Sequence, residues 1–256
     1  MSDEWSAEEP ESLLSQTDVV IQGIKDMIIR GDLGPGDRLP IEKDLAAAFG
    51  VSRGPLREGV RALVLLGVLG TRRGSGTYVT SLDAARLLSP VGFLADLYRP
   101  SSSAHLSAVR RVLEVEAVGH AATAATSSEL DTLTAILADI DRALADDPAG
   151  PRLQAVIDAD NQFHATIARA GGNPVLASLV ESLVSRTFRS RLWRAIHERG
   201  ANQQTQAEHR AILEALRRRD SDAARIQMAA HLLGVERSVE HQEELPPDHA
   251  EPAGKE

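Results

Sequence analysis

Between Asp18 and Arg30 the apolar residues Val20, Ile24, Met27 and Ile28 recur at i, i+4, i+7 and i+8, which predicts a helix with one apolar face. The stretch GDLGPGDRLP ends it, with Gly31, Gly34, Pro35 and Gly36 as breakers. A second helix is predicted over Pro40 to Phe49, Pro40 fitting the first turn, where a missing N–H is tolerated. Gly50 closes it, and Ser52 is placed to cap a third helix whose first turn accepts Pro55. After Leu66 the pattern shortens to two β-prone runs, Val68 to Thr71 and Thr77 to Thr80, joined by Arg72, Arg73, Gly74, Ser75 and Gly76. Three short helices followed by a hairpin predict a winged helix-turn-helix over residues 17–80.

From residue 82 onward no further strand pattern is found. Helices are predicted over 82–97, 104–126, 128–145, 152–170, 174–199, 203–218 and 222–239. Three starts have a local cause: Ser128 before Glu129, Asn173 before Pro174 and Ser221 before Asp222. The breaks RPSSS, DDPAG, AGGNP and RRRDSD are short, as in an antiparallel helical bundle. The expected fold is therefore mostly α: a winged head joined to an all-helical bundle of seven helices over residues 81–239. Residues 1–16 and 240–256 are polar enough to be expected as disordered tails.

Charge sharpens this division. The chain carries a net charge of −9 over 256 residues, which argues against a nonspecific coat for nucleic acid. Residues 17–80 nevertheless hold nine Lys or Arg against seven Asp or Glu, and between residues 53 and 73 five Arg face one Glu. There are no cysteines, so a metal would be held by His and carboxylate. The acidic N-terminus lacks the features of a signal peptide and no run is long enough to span a bilayer, so a cytoplasmic protein without membrane contact is expected.

Arg53, Arg57 and Arg61 fall within about 80° of arc on the third helix, beside the face formed by Leu56, Val60 and Leu63. The helix can dock through one face and present guanidinium groups on the next. Arg suits a phosphate, or the O6 and N7 edge of guanine, because its planar fork donates two parallel hydrogen bonds. On an isolated helix such a stripe is most simply a solvated face. Between a turn and a basic, glycine-rich wing it points to DNA. In the body, Asp160 and His164 share a helix face, and His209 and His231 lie on later helices. Each His alone reads as an ordinary core or surface residue; together, one carboxylate and three imidazoles would suit a divalent ion inside a bundle.

The run LGPGDRLPIEKDLAAAFGVSRGPLREGVRAL with RRGSGTYV resembles the DNA-binding domain of the GntR family of bacterial transcription regulators. The resemblance implies that Lys43, Ser52, Arg53, Arg57 and a wing including Arg72, Arg73, Gly74 and Gly76 face an operator, with Arg53 and Arg57 reading bases. Three positions depart from the family pattern, Ile41, Lys43 and Gly54, where Ser, Arg, and Thr or Ser are usual; these bear on operator sequence and affinity.

Further on, Arg110-x-x-Leu113-Glu114, Asp160-x-x-Phe163-His164, Gly172-Asn173, Glu208-His209-Arg210 and Met228-x-x-His231-Leu232 together resemble the FCD effector domain of the FadR-type branch. That resemblance implies metal ligands Asp160, His164, His209 and His231 for a divalent metal, Zn first with Ni or Mn as alternatives. It implies Arg110 holding the carboxylate of a small organic acid and Asn173 supporting the site. Beside these, Trp193 reads equally as a wall of the pocket or as a packed aromatic, and Arg189, Arg191 and Arg194 read as a second anion contact or, more simply, as a solvated helix face. The expected protein is a homodimeric regulator, a repressor in the leading reading, bound to an operator with two-fold symmetry. Two alternatives stand beside it: a metal-dependent enzyme acting on organic acids, and a DNA-binding dimer without an effector. A pyridoxal phosphate enzyme is disfavoured, since Lys25 and Lys43 lie in the head, Lys255 in the tail, and none in the body.

Overall fold

Ser15 opens the first helix through a reciprocal cap. Its hydroxyl accepts from the Asp18 N–H at 3.1 Å, and Asp18 Oδ2 accepts from the Ser15 N–H at 3.0 Å, satisfying donors that a helix start leaves over. α1 (Gln16–Arg30) ends at Gly31, whose φ of 82° is the left-handed conformation that glycine adopts most readily. α2 (Glu42–Phe49) begins after Ile41, which makes no side-chain cap bond, and α3 (Arg53–Leu65) begins after Ser52. Ser52 does sit at the cap position, but its hydroxyl makes no cap bond, so the start of α3 owes nothing to it. The computed structural model describes residues 15–97, 103–146, 153–184 and 200–244, and the chain divides into two units, Met1–Pro90 and Val91–Glu256.

In the first unit α1, α2 and α3 close around Val20, Ile24, Leu45, Leu56 and Leu63, each at most 3% exposed. Gly59 is where α3 lies against α1: a Cβ there would meet Val20 Cγ1 at 2.6 Å. Gly59→Ala is expected to push the two helices apart and destabilise the head by about 1–3 kcal/mol, as overpacking does. Chemical denaturation reads this directly, and an unchanged midpoint would show that Val20 yields freely.

The hairpin follows. β1 (Leu69–Arg72) and β2 (Gly76–Val79) pair antiparallel, Leu69 opposite Val79 and Arg72 opposite Gly76, one residue from the predicted limits. Leu69 and Val79 turn into the core of the head. The segment between α1 and α2 does more than end a helix. Gly36 donates to the Val79 carbonyl at 3.0 Å, Val79 donates to Asp37 at 2.9 Å and Leu39 donates to Thr77 at 2.9 Å, so residues 36–39 lie along β2 and fix the wing to the helices. The single helix predicted over 82–97 is split into α4 (Ala84–Leu87), capped by Asp83, and α5 (Ser89–Leu97).

The second unit holds α6 (Ser103–Ala124), α7 (Ser127–Asp146), α8 (Leu153–Ala170), α9 (Pro174–Val184), α10 (Ala201–Arg217) and α11 (Ser221–Glu244). α6 packs against α8, α9 and α11, while α7 packs against α8 and α10. α6 and α11 run antiparallel: Ser221 Oγ donates to the Gly119 carbonyl at 3.0 Å, and Arg111 Nε donates to Glu236 at 3.0 Å. Val118, Ala121, Ala122, Leu133, Phe163, Ile212, Leu216 and Met228 form one buried cluster, in which the alanines of α6 permit close approach of its neighbours. Two caps differ from the predicted ones. Thr126 exchanges hydrogen bonds with Glu129 at the start of α7, and Asp220 accepts from Ala223 N–H at 2.9 Å at the start of α11. Asn173 does cap α9, as predicted. No described helix is long and apolar enough to cross a membrane.

Candidate DNA-reading surface and metal centre

The sequence-derived DNA residues lie at the surface. Lys43, Ser52, Arg53, Arg57, Arg61, Arg72, Arg73, Gly74 and Gly76 are all exposed, whereas Leu56 and Leu63 on the same α3 are buried. Arg53 is the first residue of α3, and no acidic residue occupies that helix's first turn. Its partial positive charge therefore has no counter-charge within its own first turn, which favours an anion.

The wing turns through Arg73, Gly74 and Ser75. Gly74 takes φ 77° and Gly76 φ 105°, conformations that disfavour any side chain. Tyr78 holds the turn by donating its hydroxyl to the Ser75 carbonyl at 2.8 Å, and the Arg72 guanidinium lies over the Tyr78 ring, 4.9 Å from its centre. A cleft of about 500 Å³ opens between α2, α3 and β2, lined among others by Arg38, Glu42, Arg57, Arg61, Gly76 and Thr77. Arg38 was not singled out from the sequence. It passes under the wing, where a Cβ on Gly76 would stand 2.9 Å from its Nε, so that glycine also makes room for a further cation in the cleft. Glu42 brings the lining its carboxylate and receives the Arg57 fork, with Nε at 3.0 Å and Nη2 at 2.9 Å from Oε2. Hydrogen bonding from Arg57 holds the Glu42 carboxyl below its ordinary range.

Inside the helical unit, three imidazoles from three helices converge. His164 of α8, His209 of α10 and His231 of α11 are each about 1% exposed, and each offers a ring nitrogen within 4.8 Å of the other two. Ring centres are 5.3 Å apart for His164 and His209, 5.3 Å for His164 and His231, and 4.7 Å for His209 and His231. Asp160 lies at their edge: its Oδ1 is 3.4 Å from His209 Nε2 and 3.9 Å from His164 Nε2.

Two of the rings are oriented from behind. His231 Nδ1 is 2.8 Å from Glu208 Oε2, and His164 Nδ1 bonds Glu114. A neutral ring that donates from Nδ1 keeps its Nε2 lone pair for a metal, the arrangement in which a carboxylate fixes the tautomer of a ligating His. His164 Nε2 is buried with no hydrogen-bond partner among the described residues. Burial lowers the His164 pKa despite Glu114, and burial lowers that of His231 to about 4 despite Glu208. Both imidazoles are thus uncharged near neutrality, as ligation requires. The donor set fits a borderline divalent ion.

Glu114 also receives Arg110, four residues earlier on α6, and both side chains are 1% exposed. Burial opposes ionisation of Glu114 more strongly than any single neighbour favours it, but Arg110 and His164 together, through charge and hydrogen bonding, outweigh it and hold that carboxyl well below the usual range. Arg110 acts electrostatically on His164 and His231 as well, so it belongs to the same cluster. A cavity of about 50 Å³ adjoins it, lined among others by Asp160, His209, His231, Thr205, Gln206 and Val235.

Asn173 has a task at the start of α9. Its Oδ1 accepts from the N–H groups of Val175 and Leu176, both at 3.1 Å, and so is engaged in capping α9. Trp193, Arg189, Arg191 and Arg194 lie outside the described residues. The role of Glu208 was not read from the sequence, because its partner His231 is 23 residues away.

Comparison with known proteins agrees with the division of the chain. Residues 16–79 match the family model "Bacterial regulatory proteins, gntR family", and residues 105–234 match the FCD domain. The HTH-type transcriptional repressor NanR of Escherichia coli K12 is 30% identical over 224 residues, covering 86% of this chain and 82% of NanR. The NanR of Citrobacter rodentium is also 30% identical, over 86% of this chain and 83% of its own length. Among solved structures, the Streptococcus agalactiae GntR aligns with TM-score 0.61 and 27% identity, over 87% of this chain and 99% of that one.

Proposed function

This chain belongs to the GntR family of bacterial transcription regulators, carries an FCD domain and is not an enzyme; on that premise we propose that it is a metal-dependent, ligand-responsive repressor. The head, over residues 17–80, reads an operator through Arg53 and Arg57, with Lys43, Ser52, Arg72, Arg73 and the wing glycines Gly74 and Gly76 placing the backbone. The exposure of these residues supports that reading, and repression is the role named for the NanR relatives.

In the helical domain, over residues 81–239, His164, His209, His231 and Asp160 would hold a divalent cation, Zn before Ni or Mn, in the manner of the FadR-type branch. When bound, such an ion supplies open coordination positions for the oxygens of an organic acid. Arg110 provides a second positive charge toward the same anion, while Glu114 and Glu208 keep two imidazoles in the ligating tautomer. The observation that carries this reading is the convergence of three buried imidazoles with carboxylates behind two of them. A cavity of about 50 Å³ is far below the roughly 300 Å³ of common ligand pockets, which favours an acid of few carbons. The acid alters operator binding by as much as it favours one arrangement of the regulator over another.

Thermal unfolding in the presence of small organic acids tests the proposal. A ligand present at 100 times its dissociation constant contributes about 2.7 kcal/mol, which for a domain of this size raises the midpoint by roughly 5–10 °C. The rise is expected with Zn²⁺ and is expected to vanish with a chelator. A full panel of acids without effect would leave a regulator that senses nothing at this site.

The proposal extends to a homodimer. Val109 and Val112 on α6 and Ile226 and Leu233 on α11 stay 38–65% exposed, and these two helices are packed neighbours. A second copy covering them would bury apolar surface that water otherwise meets. Sedimentation velocity is expected to give a dimer at micromolar concentration and a shift toward monomer for Leu233→Glu; a wild-type monomer would remove this part.

A further inference from the structure

Glu42 is an odd residue to find in the cleft that faces DNA. Of the cleft residues named above, it alone is acidic, among Arg38, Arg57 and Arg61, and Arg53 also acts on it electrostatically. A carboxylate here repels a phosphate backbone and so weakens binding. Stability of the head does not explain its presence, because the pair it forms with Arg57 is more than half exposed on both sides, and exposed ion pairs stabilise a fold little.

The geometry suggests what the carboxylate does instead. Arg57 Nε lies 3.1 Å from Oε1 and 3.0 Å from Oε2, and Nη2 lies 2.9 Å from Oε2. Of the five guanidinium N–H groups, these contacts engage the Nε–H and one on Nη2. The far edge, made by Nη1 and the second Nη2 N–H, keeps two parallel donors. That edge matches O6 and N7 of guanine. A guanidinium released from Glu42 could swing to the nearest phosphate, which carries the larger charge but no sequence information.

We propose that Glu42 is a positioning residue that holds Arg57 by its Nε edge, so that Arg57 reads a base and does not add to the phosphate contacts. The inference rests on the assignment of Arg57 to the DNA face. Glu42 then lowers affinity for DNA in general and raises the preference for the operator, which sets operator specificity from a helix other than α3.

The test uses full-length protein, an operator selected by the wild type from a random duplex library, its single-base-pair variants, and an unrelated duplex, with anisotropy measured across a salt series. Glu42→Gln is expected to bind the unrelated duplex more tightly, with a salt slope steeper by about 0.9 per protomer as each Arg57 gains one phosphate. Its preference for the operator over the unrelated duplex is expected to fall about tenfold, the loss concentrated at one base pair per half-site. In Glu42→Gln combined with Arg57→Ala, the slope returns to that of Arg57→Ala alone. A uniform loss of affinity with unchanged slope and preference means a structural role for Glu42 and overturns the proposal, as does no change at all while Arg57→Ala weakens operator binding. If Arg57→Ala itself binds the operator like wild type, the assignment of Arg57 to DNA fails first, and the proposal with it.

Discussion

His209→Ala is expected to abolish retention of divalent metal and, with it, the stabilisation that metal gives to the helical domain. His209 touches every other member of the cluster: its ring is 4.7 Å from that of His231 and 5.3 Å from that of His164, and its Nε2 is 3.4 Å from the Asp160 carboxylate. Removing a carboxylate behind a ligating His weakens metal binding about 10–100-fold, and deleting a ligand is expected to cost at least the upper figure. A native state that binds metal at 1,000 times its dissociation constant gains about 4 kcal/mol, equivalent to roughly 8–16 °C in a domain of this size. Wild type is therefore expected to lose midpoint on chelation, while His209→Ala is expected to melt alike with and without chelator. Comparing each protein with itself separates metal loss from the cavity left by the imidazole. Elemental analysis after dialysis provides the second measurement. A wild type that takes up no metal from Zn²⁺, Ni²⁺ or Mn²⁺, and melts identically in chelator, would end the metal assignment.

Much of the head is written locally. The 3.6-residue recurrence of Val20 and Ile24, the breakers at Gly31 and Gly50, and the separation of Leu56 and Leu63 from the Arg stripe all lie within single elements. Their neighbours in sequence are enough to place them. The docking of residues 36–39 along β2 was not legible, since it pairs backbone groups some 40 residues apart and leaves no side-chain pattern. Nor was the hold of Glu42 on Arg57, which joins α2 to α3 across 15 residues. A local signal does mark the start of α7: Thr126-x-x-Glu129 has the spacing of a capping box, whereas Ser128 stands next to Glu129 and not three residues before it.

In the helical domain only Asp160 and His164 are legible as a pair on one helix face; His209 and His231 stand singly on later helices, and it is the resemblance in motif order that makes the four a specific set. The carboxylates that make the cluster suited to a metal come from more distant positions. Glu114 meets His164 across 50 residues and Glu208 meets His231 across 23. Such partners follow from how α6, α8, α10 and α11 cross, which a one-dimensional pattern does not encode. Asn173 shows the converse: a side chain that motif order associates with the site is engaged by the backbone of α9, two and three residues ahead.

Arg53→Ala is expected to reduce operator affinity at least tenfold while leaving the fold intact. Arg53 is exposed and packs into no core, so the melting curve of the head should not move. It begins α3, where backbone N–H groups and the helix dipole face outward with no acidic residue in the first turn to offset them. A bidentate contact to guanine is worth about 1–3 kcal/mol of discrimination, and in a dimer on a two-fold operator it is lost twice. Two further signs identify base reading. The loss is expected to concentrate at one base pair per half-site, and the salt slope is expected to stay as in wild type. Lys43→Ala provides the contrast, because losing a phosphate contact from Lys weakens binding to all duplexes and reduces the slope by about one per protomer. If Arg53→Ala behaves as Lys43→Ala does, Arg53 anchors the backbone, and sequence is read elsewhere along α3 or by the wing. If its operator affinity equals that of wild type at fixed salt, Arg53 does not meet the DNA at all.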